Sequence, residues 1–133
     1  METTILIVEK SPEILELLRR FIEKAGYNTI IATDGEKGLK YARRYLPHLV
    51  VAERLLPRMN GLQLCRKIKD SSETEHIPVI FLSILDSEKD IIEGLKAGAD
   101  DYVKKPFSPD ELVARIEVVL HRCRKINTKK EKH

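Results

Sequence analysis

The chain has 133 residues, enough for one domain around one core, and is 42% hydrophobic and 34% charged. That balance excludes disordered and collagen-like classes, and no apolar run approaches the roughly 18 residues of a membrane helix. The net charge of +3 is uneven: residues 121–133 carry six bases and one acid, leaving 18 bases and 20 acids in residues 1–120.

The first apolar run, 4–8, reads as a strand and ends in Glu9-Lys10. Ser11 then serves as N-cap, with Pro12 at the first helical position. Ile14, Leu18, Phe21, Ile22 and Ala25 form an apolar stripe, and Gly26 supplies a left-handed stop. A second strand spans 28–32. A second helix begins near Asp34, buries Leu39 and Ala42, and ends before Pro47. The third strand, 49–52, ends in Glu53. The third helix follows Asn60 and buries Leu64, Cys65 and Ile68. The fourth strand, 78–82, ends in Ser83. The fourth helix starts at Asp86 or Ser87, uses Ile91, Ile92 and Leu95, and stops at Gly98. The fifth strand, 101–104, leads into Lys105-Pro106. A capping box, Ser108 to Glu111, opens a fifth helix whose core face is Leu112, Ile116, Val119 and Leu120.

Strict alternation of strand and helix predicts an α/β fold, a doubly wound five-stranded parallel sheet with order 2-1-3-4-5 and five helices. The first, third and fourth strands are continuously apolar, as expected of strands buried on both faces. In such sheets ligands bind beyond the carboxyl ends of the strands, where the strand order reverses. Here that point lies between the first and third strands. Glu9, Lys10, Glu53, Ser83 and Lys105 are therefore expected around one pocket, where two carboxylates and two ammonium groups sum to zero.

Cys65 and Cys123 share no metal or redox motif. The start lacks a basic region followed by a long apolar stretch, so the expected location is cytoplasmic, without a membrane anchor. Residues 123–133 read as a basic tail or linker after a domain of residues 1–122. Without interleaved aromatics, the tail would touch nucleic acid only weakly.

Several segments, in order and at matching spacing, resemble the response-regulator receiver domain of two-component signalling. They are Ile5-Leu-Ile-Val-Glu9, Pro47 to Gly61, Pro78 to Ser83, and Gly94 to Phe107. The resemblance covers residues 4–122 and is nearest to the receivers of winged-helix transcriptional regulators. It implies a flavodoxin-like fold, a phosphoacceptor at position 53, phosphoryl-pocket residues Ser83 and Lys105, and Ser83 and Tyr102 as switch residues. It also implies Mg²⁺-site positions at Glu9, Lys10, Glu53 and Leu55. The same likeness predicts a homodimer through the fourth helix, fifth strand and fifth helix, using Asp100, Asp101, Glu111, Arg115 and Arg122. Ile91 stands where a basic partner for Glu111 is expected, so one bridge of that pattern is lost.

The departures fall on the chemistry. Receivers carry Asp where this chain has Glu53, and a second acid where it has Lys10. Ile84 replaces a small residue, and Arg58 a common Gly. A receiver pocket with three carboxylates and one Lys relies on Mg²⁺ to offset repulsion of up to about 4 kcal/mol per close pair. The extra methylene of Glu53 displaces its carboxylate, and misplacement on that scale costs about 10²-fold in rate. The expected protein is a non-enzymatic signalling module that acts by protein contact, with no cofactor and with Lys10 in the cation's place. Its partners would be a histidine kinase or an effector domain. Two alternatives remain: a working phosphoacceptor that uses Mg²⁺, and a flavodoxin-like cofactor binder. The second lacks a hydroxyl-rich or Gly-rich loop after the first strand.

Overall fold

The computed structural model describes residues 2–131, with side chains through Arg124. Strands β1 (Thr4–Val8), β2 (Asn28–Ala32), β3 (Leu49–Ala52), β4 (Val79–Ser83) and β5 (Asp101–Lys104) alternate with five helices. These are α1 (Pro12–Lys24), α2 (Gly35–Tyr45), α3 (Gly61–Lys69), α4 (Glu88–Lys96) and α5 (Pro109–Glu131). The strands form one parallel sheet in the order β2-β1-β3-β4-β5. This is the flavodoxin-like arrangement expected from the alternation.

Two cores follow from the period-two alternation of strand side chains. Leu6, Val8, Val50, Ala52, Val79 and Phe81 pack against Leu39 and Ala42 of α2 and Leu64, Cys65 and Ile68 of α3. Ile5, Ile7, Leu49, Val51, Ile80 and Leu82 face the other way, onto α1 and α5. In register, Val8 stands beside Ala32 on one side and Ala52 on the other. The ladder runs one residue further at each end: Glu9 N–H donates to Ala32 O and Glu53 N–H to Val8 O, both at 3.0 Å. Glu9 and Glu53 therefore leave the sheet side by side at its switch point.

Two local readings change. In α1, Leu15 joins Leu18 and Ile22 in the core, while Ala25 is exposed. In α4, Ile92 and Leu95 are 43% and 48% exposed, so they are not core residues. The buried face of α4 centres on Gly94, because Tyr102 and Phe81 occupy the space a longer side chain would need. Beyond these, α5 runs on past residue 122 into the segment read as a tail or linker. No Gly or Pro follows Pro109, and the helix continues to Glu131. Residues 132–133 of the predicted tail lie outside the described residues.

The loop after β3 is fastened to the start of α2. Gly35 N–H donates to Pro57 O at 3.2 Å, and a Cβ on Gly35 would lie 1.8 Å from Met59 O. Arg58 adopts a left-handed φ of 68°, which costs a residue with a side chain. Its guanidinium lies 3.8 Å from the Asp34 carboxylate that caps α2. Because backbone blocks the Gly35 site, Gly35→Ala should destabilise the fold by about 1–3 kcal/mol or more. Urea denaturation checks this; an unchanged midpoint would show that the loop yields freely.

Candidate functional site

The carboxyl edge of the sheet gathers an acidic pair around one ammonium. Glu9 and Glu53 are 2% and 3% exposed. Lys105 reaches in from the loop after β5, its backbone N–H fixed on Ser83 O at 2.9 Å. Its Nζ donates to Glu9 Oε1 at 2.6 Å and lies 4.0 Å from Glu53 Oε2. The other oxygen of Glu9 accepts from Ser11 N–H at 2.9 Å, which ties the pocket to the start of α1. Glu53 Oε2 is buried without a hydrogen-bond donor among the described residues. The Lys105–Pro106 bond is cis.

Lys10 lies elsewhere. It is exposed and makes no ion pair among the described residues. The ammonium in the pocket belongs to Lys105 alone, so Glu9, Glu53 and Lys105 sum to −1 rather than zero. The reason is desolvation: a second ammonium would lose its hydration for a shared carboxylate, whereas a long Lys stem keeps its charge in water. Ser83 is fully buried, and its Oγ accepts from Leu85 N–H at 3.2 Å, closing the turn into α4. Leu55 is exposed on the β3–α3 loop.

A hard divalent cation takes six or more oxygen ligands, mainly carboxylates and carbonyls. Here one carboxylate is already engaged by Lys105 and by a backbone amide, and the adjacent position is a solvated Lys. No group of three or more His, Cys, Asp or Glu side chains clusters among the described residues. This donor set does not fit Mg²⁺ well.

Sequence reasoning gave no role to Arg54. Its side chain is only 6% exposed and points to the face of β3 opposite Glu53. Nη1 donates to Asp90 O at 2.7 Å and to Tyr102 Oη at 3.4 Å, and Nη2 donates to Glu93 Oε2 at 3.1 Å. Burial alone would lower its pKa. Tyr102, Glu93 and Asp90 outweigh that and raise it, so the guanidinium stays charged. The available signal was a base at the end of an otherwise apolar buried strand, where an unpaired charge is costly.

Tyr102 is buried, and its hydroxyl donates to Leu85 O. Among the predicted dimer-face residues, Asp101 and Glu111 both hold Arg115, at 3.1 Å and 3.0 Å, within the one chain. Those two carboxylates hold the Arg115 pKa up. Asp100 turns away to Val79 N–H and Lys69. Arg122 lines a cleft of about 440 Å³ with Asp101, Glu111 and Arg115. Burial pushes the Cys65 thiol up to about 11, so it is a core group rather than a nucleophile.

Residues 5–117 match the family described as the response regulator receiver domain. The chain is 40% identical over 132 residues to the response regulator GtcR of Aneurinibacillus migulanus, covering 99% of this chain and 53% of that protein. It is 38% identical over 122 residues to the alkaline phosphatase synthesis transcriptional regulatory protein PhoP of Bacillus subtilis, covering 92% and 50%. The chain thus spans about half the length of these curated relatives. Among solved structures, a CheY-like receiver domain protein from Methanospirillum hungatei superposes with a TM-score of 0.88 at 28% identity, covering 94% of this chain and 98% of that one. The Francisella response regulator 1452 receiver domain gives 0.84 at 32%, covering 91% and 98%.

The two lysines make a direct comparison. Lys105→Met leaves two buried carboxylates without their counter-charge and should destabilise the fold by about 3 kcal/mol. Adding Glu9→Gln should recover much of that loss. Lys10→Ala should change stability by less than about 0.5 kcal/mol. Chemical denaturation of the variants tests this, and a larger effect at Lys10 than at Lys105 would contradict the geometry.

Proposed function

This chain belongs to the response regulator receiver domain family, and we propose that it acts there by protein contact, without phosphorylation at position 53. The observation that carries this reading is a pocket of two carboxylates, Glu9 and Glu53, around Lys105, with the solvated Lys10 where the family has a second acid. Glu53 in place of Asp moves the acceptor by a methylene, and Lys10 removes a metal-ligating acid. Together these disfavour in-line transfer of a phosphoryl group, which needs both a placed nucleophile and charge neutralisation. On this reading the module is not an enzyme and takes no cofactor.

Its partners would be a histidine kinase or an effector domain. The two named relatives are a response regulator and a transcriptional regulatory protein about twice the length of this chain, which supports an effector as the output. Any nucleic-acid binding would then belong to that effector, with at most weak contact from the basic C-terminal segment. A homodimer through α4, β5 and α5 is a further part of this proposal. Asp101, Glu111 and Arg115 already satisfy one another within the chain, so the dimer would be weak and would pair through re-partnered charges. No described helix is long and apolar enough to cross a membrane.

One observation favours the alternative of a working, Mg²⁺-dependent phosphoacceptor: Glu53 Oε2 accepts no hydrogen bond among the described residues. The two readings separate in one experiment. After incubation with acetyl phosphate and Mg²⁺, intact-protein mass spectrometry should find no phosphoryl adduct on the native chain. Lys10→Asp combined with Glu53→Asp should gain one. A stable adduct on the native chain would overturn the proposal in favour of the alternative.

A further inference from the structure

The end of β3 faces two ways, and its second face reaches α4, a helix that lacks a substantial apolar anchor. Of the residues in α4, Gly94 alone is buried, with Ile91 partly so, while Ile92 and Leu95 look outward. A helix held by so little buried apolar surface is a candidate for low local stability. What holds it is polar. Arg54 crosses beneath the helix and donates to the Asp90 carbonyl and the Glu93 carboxylate, both in α4. The same guanidinium reaches the Tyr102 hydroxyl in β5, which in turn donates to Leu85 O in the β4–α4 loop.

The space for this network is built in. The Tyr102 ring packs against Phe81 with centroids 5.8 Å apart and planes at 55°. A Cβ on Gly94 would lie 2.8 Å from Tyr102 Cε2, so the inward ring depends on a bare Cα in α4. Arg54 Nε is buried without a partner among the described residues, a cost accepted at a site that the rest of the fork fixes. Charge-assisted bonds of this kind are about twice as strong as neutral ones.

We infer that Arg54 is an internal clamp that holds α4 and Tyr102 to the carboxyl end of β3 and so sets the shape of the α4–β5 surface. The clamp joins position 53's immediate neighbour to the outer surface without any group transfer. That it is permanent rests on the phosphorylation-independent reading above; the clamp itself does not. Arg54 is a positioning residue, since it acts on the surface through Tyr102 and the α4 backbone.

Amide hydrogen exchange tests the clamp on the whole chain. Arg54→Met should speed exchange across residues 86–97 by about tenfold or more, while strands 4–8 and 49–52 keep their protection. Tyr102→Phe, which removes the hydroxyl and leaves the ring, should act in the same segment to a smaller degree. The double variant should exchange little faster than Arg54→Met alone, because both remove one network. Unchanged exchange in 86–97, or equal loss in the central strands, would overturn the inference. Should Arg54→Met fail to fold, Tyr102→Phe and Glu93→Gln carry the test, and no change in 86–97 with either would overturn it as well. An acetyl phosphate adduct on the native chain would remove only the permanence, leaving the exchange result to decide the clamp.

Discussion

The structure turns on one ammonium shared by two buried carboxylates. Parallel pairing of β1 with β2 and β3 forces Glu9 and Glu53 out of the sheet next to each other, and both are almost fully removed from water. Two such charges repel strongly at low effective dielectric. Lys105, delivered from the loop after β5 and fixed by its own backbone bond to Ser83 O, supplies the opposing charge. Three strands are thereby linked at one edge. Removing either sign would leave a buried charge unopposed, which is why the pocket depends on the pair more than on any apolar contact nearby.

The adjacent residue uses the other face of the same strand end. Glu53 belongs to the pocket and Arg54 to the underside of α4, and the alternation of a β-strand separates them. A buried guanidinium with donors in a rigid fork can grip a carboxylate, a carbonyl and a hydroxyl together. The pocket and the outer surface are thus neighbours in sequence. The proposed function and the proposed clamp describe one strand end: its pocket face already holds an internal counter-charge, and its other face already anchors α4.

Much of this was legible in the sequence. Apolar runs with Glu9, Glu53, Ser83 and Lys105 at their ends identified the sheet, its order and the crevice. Hydrophobic periodicity located every helix. What periodicity could not resolve was direction at the ends of elements. Lys10 stands beside Glu9, and spacing alone placed both in the pocket, yet only Glu9 turns inward. Ile92 and Leu95 are apolar and helical, yet α4 turns its small Gly94 to the core because Tyr102 and Phe81 fill the room. Arg54 was passed over because a charged residue at the end of a strand reads as solvated. Its partners, Asp90, Glu93 and Tyr102, lie 36 to 48 residues away in the chain. Of the charges expected at a dimer face, Asp101, Glu111 and Arg115 meet within the chain, and Asp100 bonds to the start of β4, contacts that spacing did not reveal.

With Glu53 in place of Asp, Lys10 in place of a second acid, and Lys105 bonded to Glu9, the pocket is a poor seat for a divalent cation. Titrating Mg²⁺ into ¹⁵N-labelled protein while following the backbone amides of Glu9, Glu53 and Lys105 addresses it directly. No saturable shift is expected at these three amides at millimolar Mg²⁺, and one should appear when Lys105→Met frees the carboxylates. Saturable shifts at Glu9 and Glu53 in the native chain, with Lys105 displaced, would contradict it.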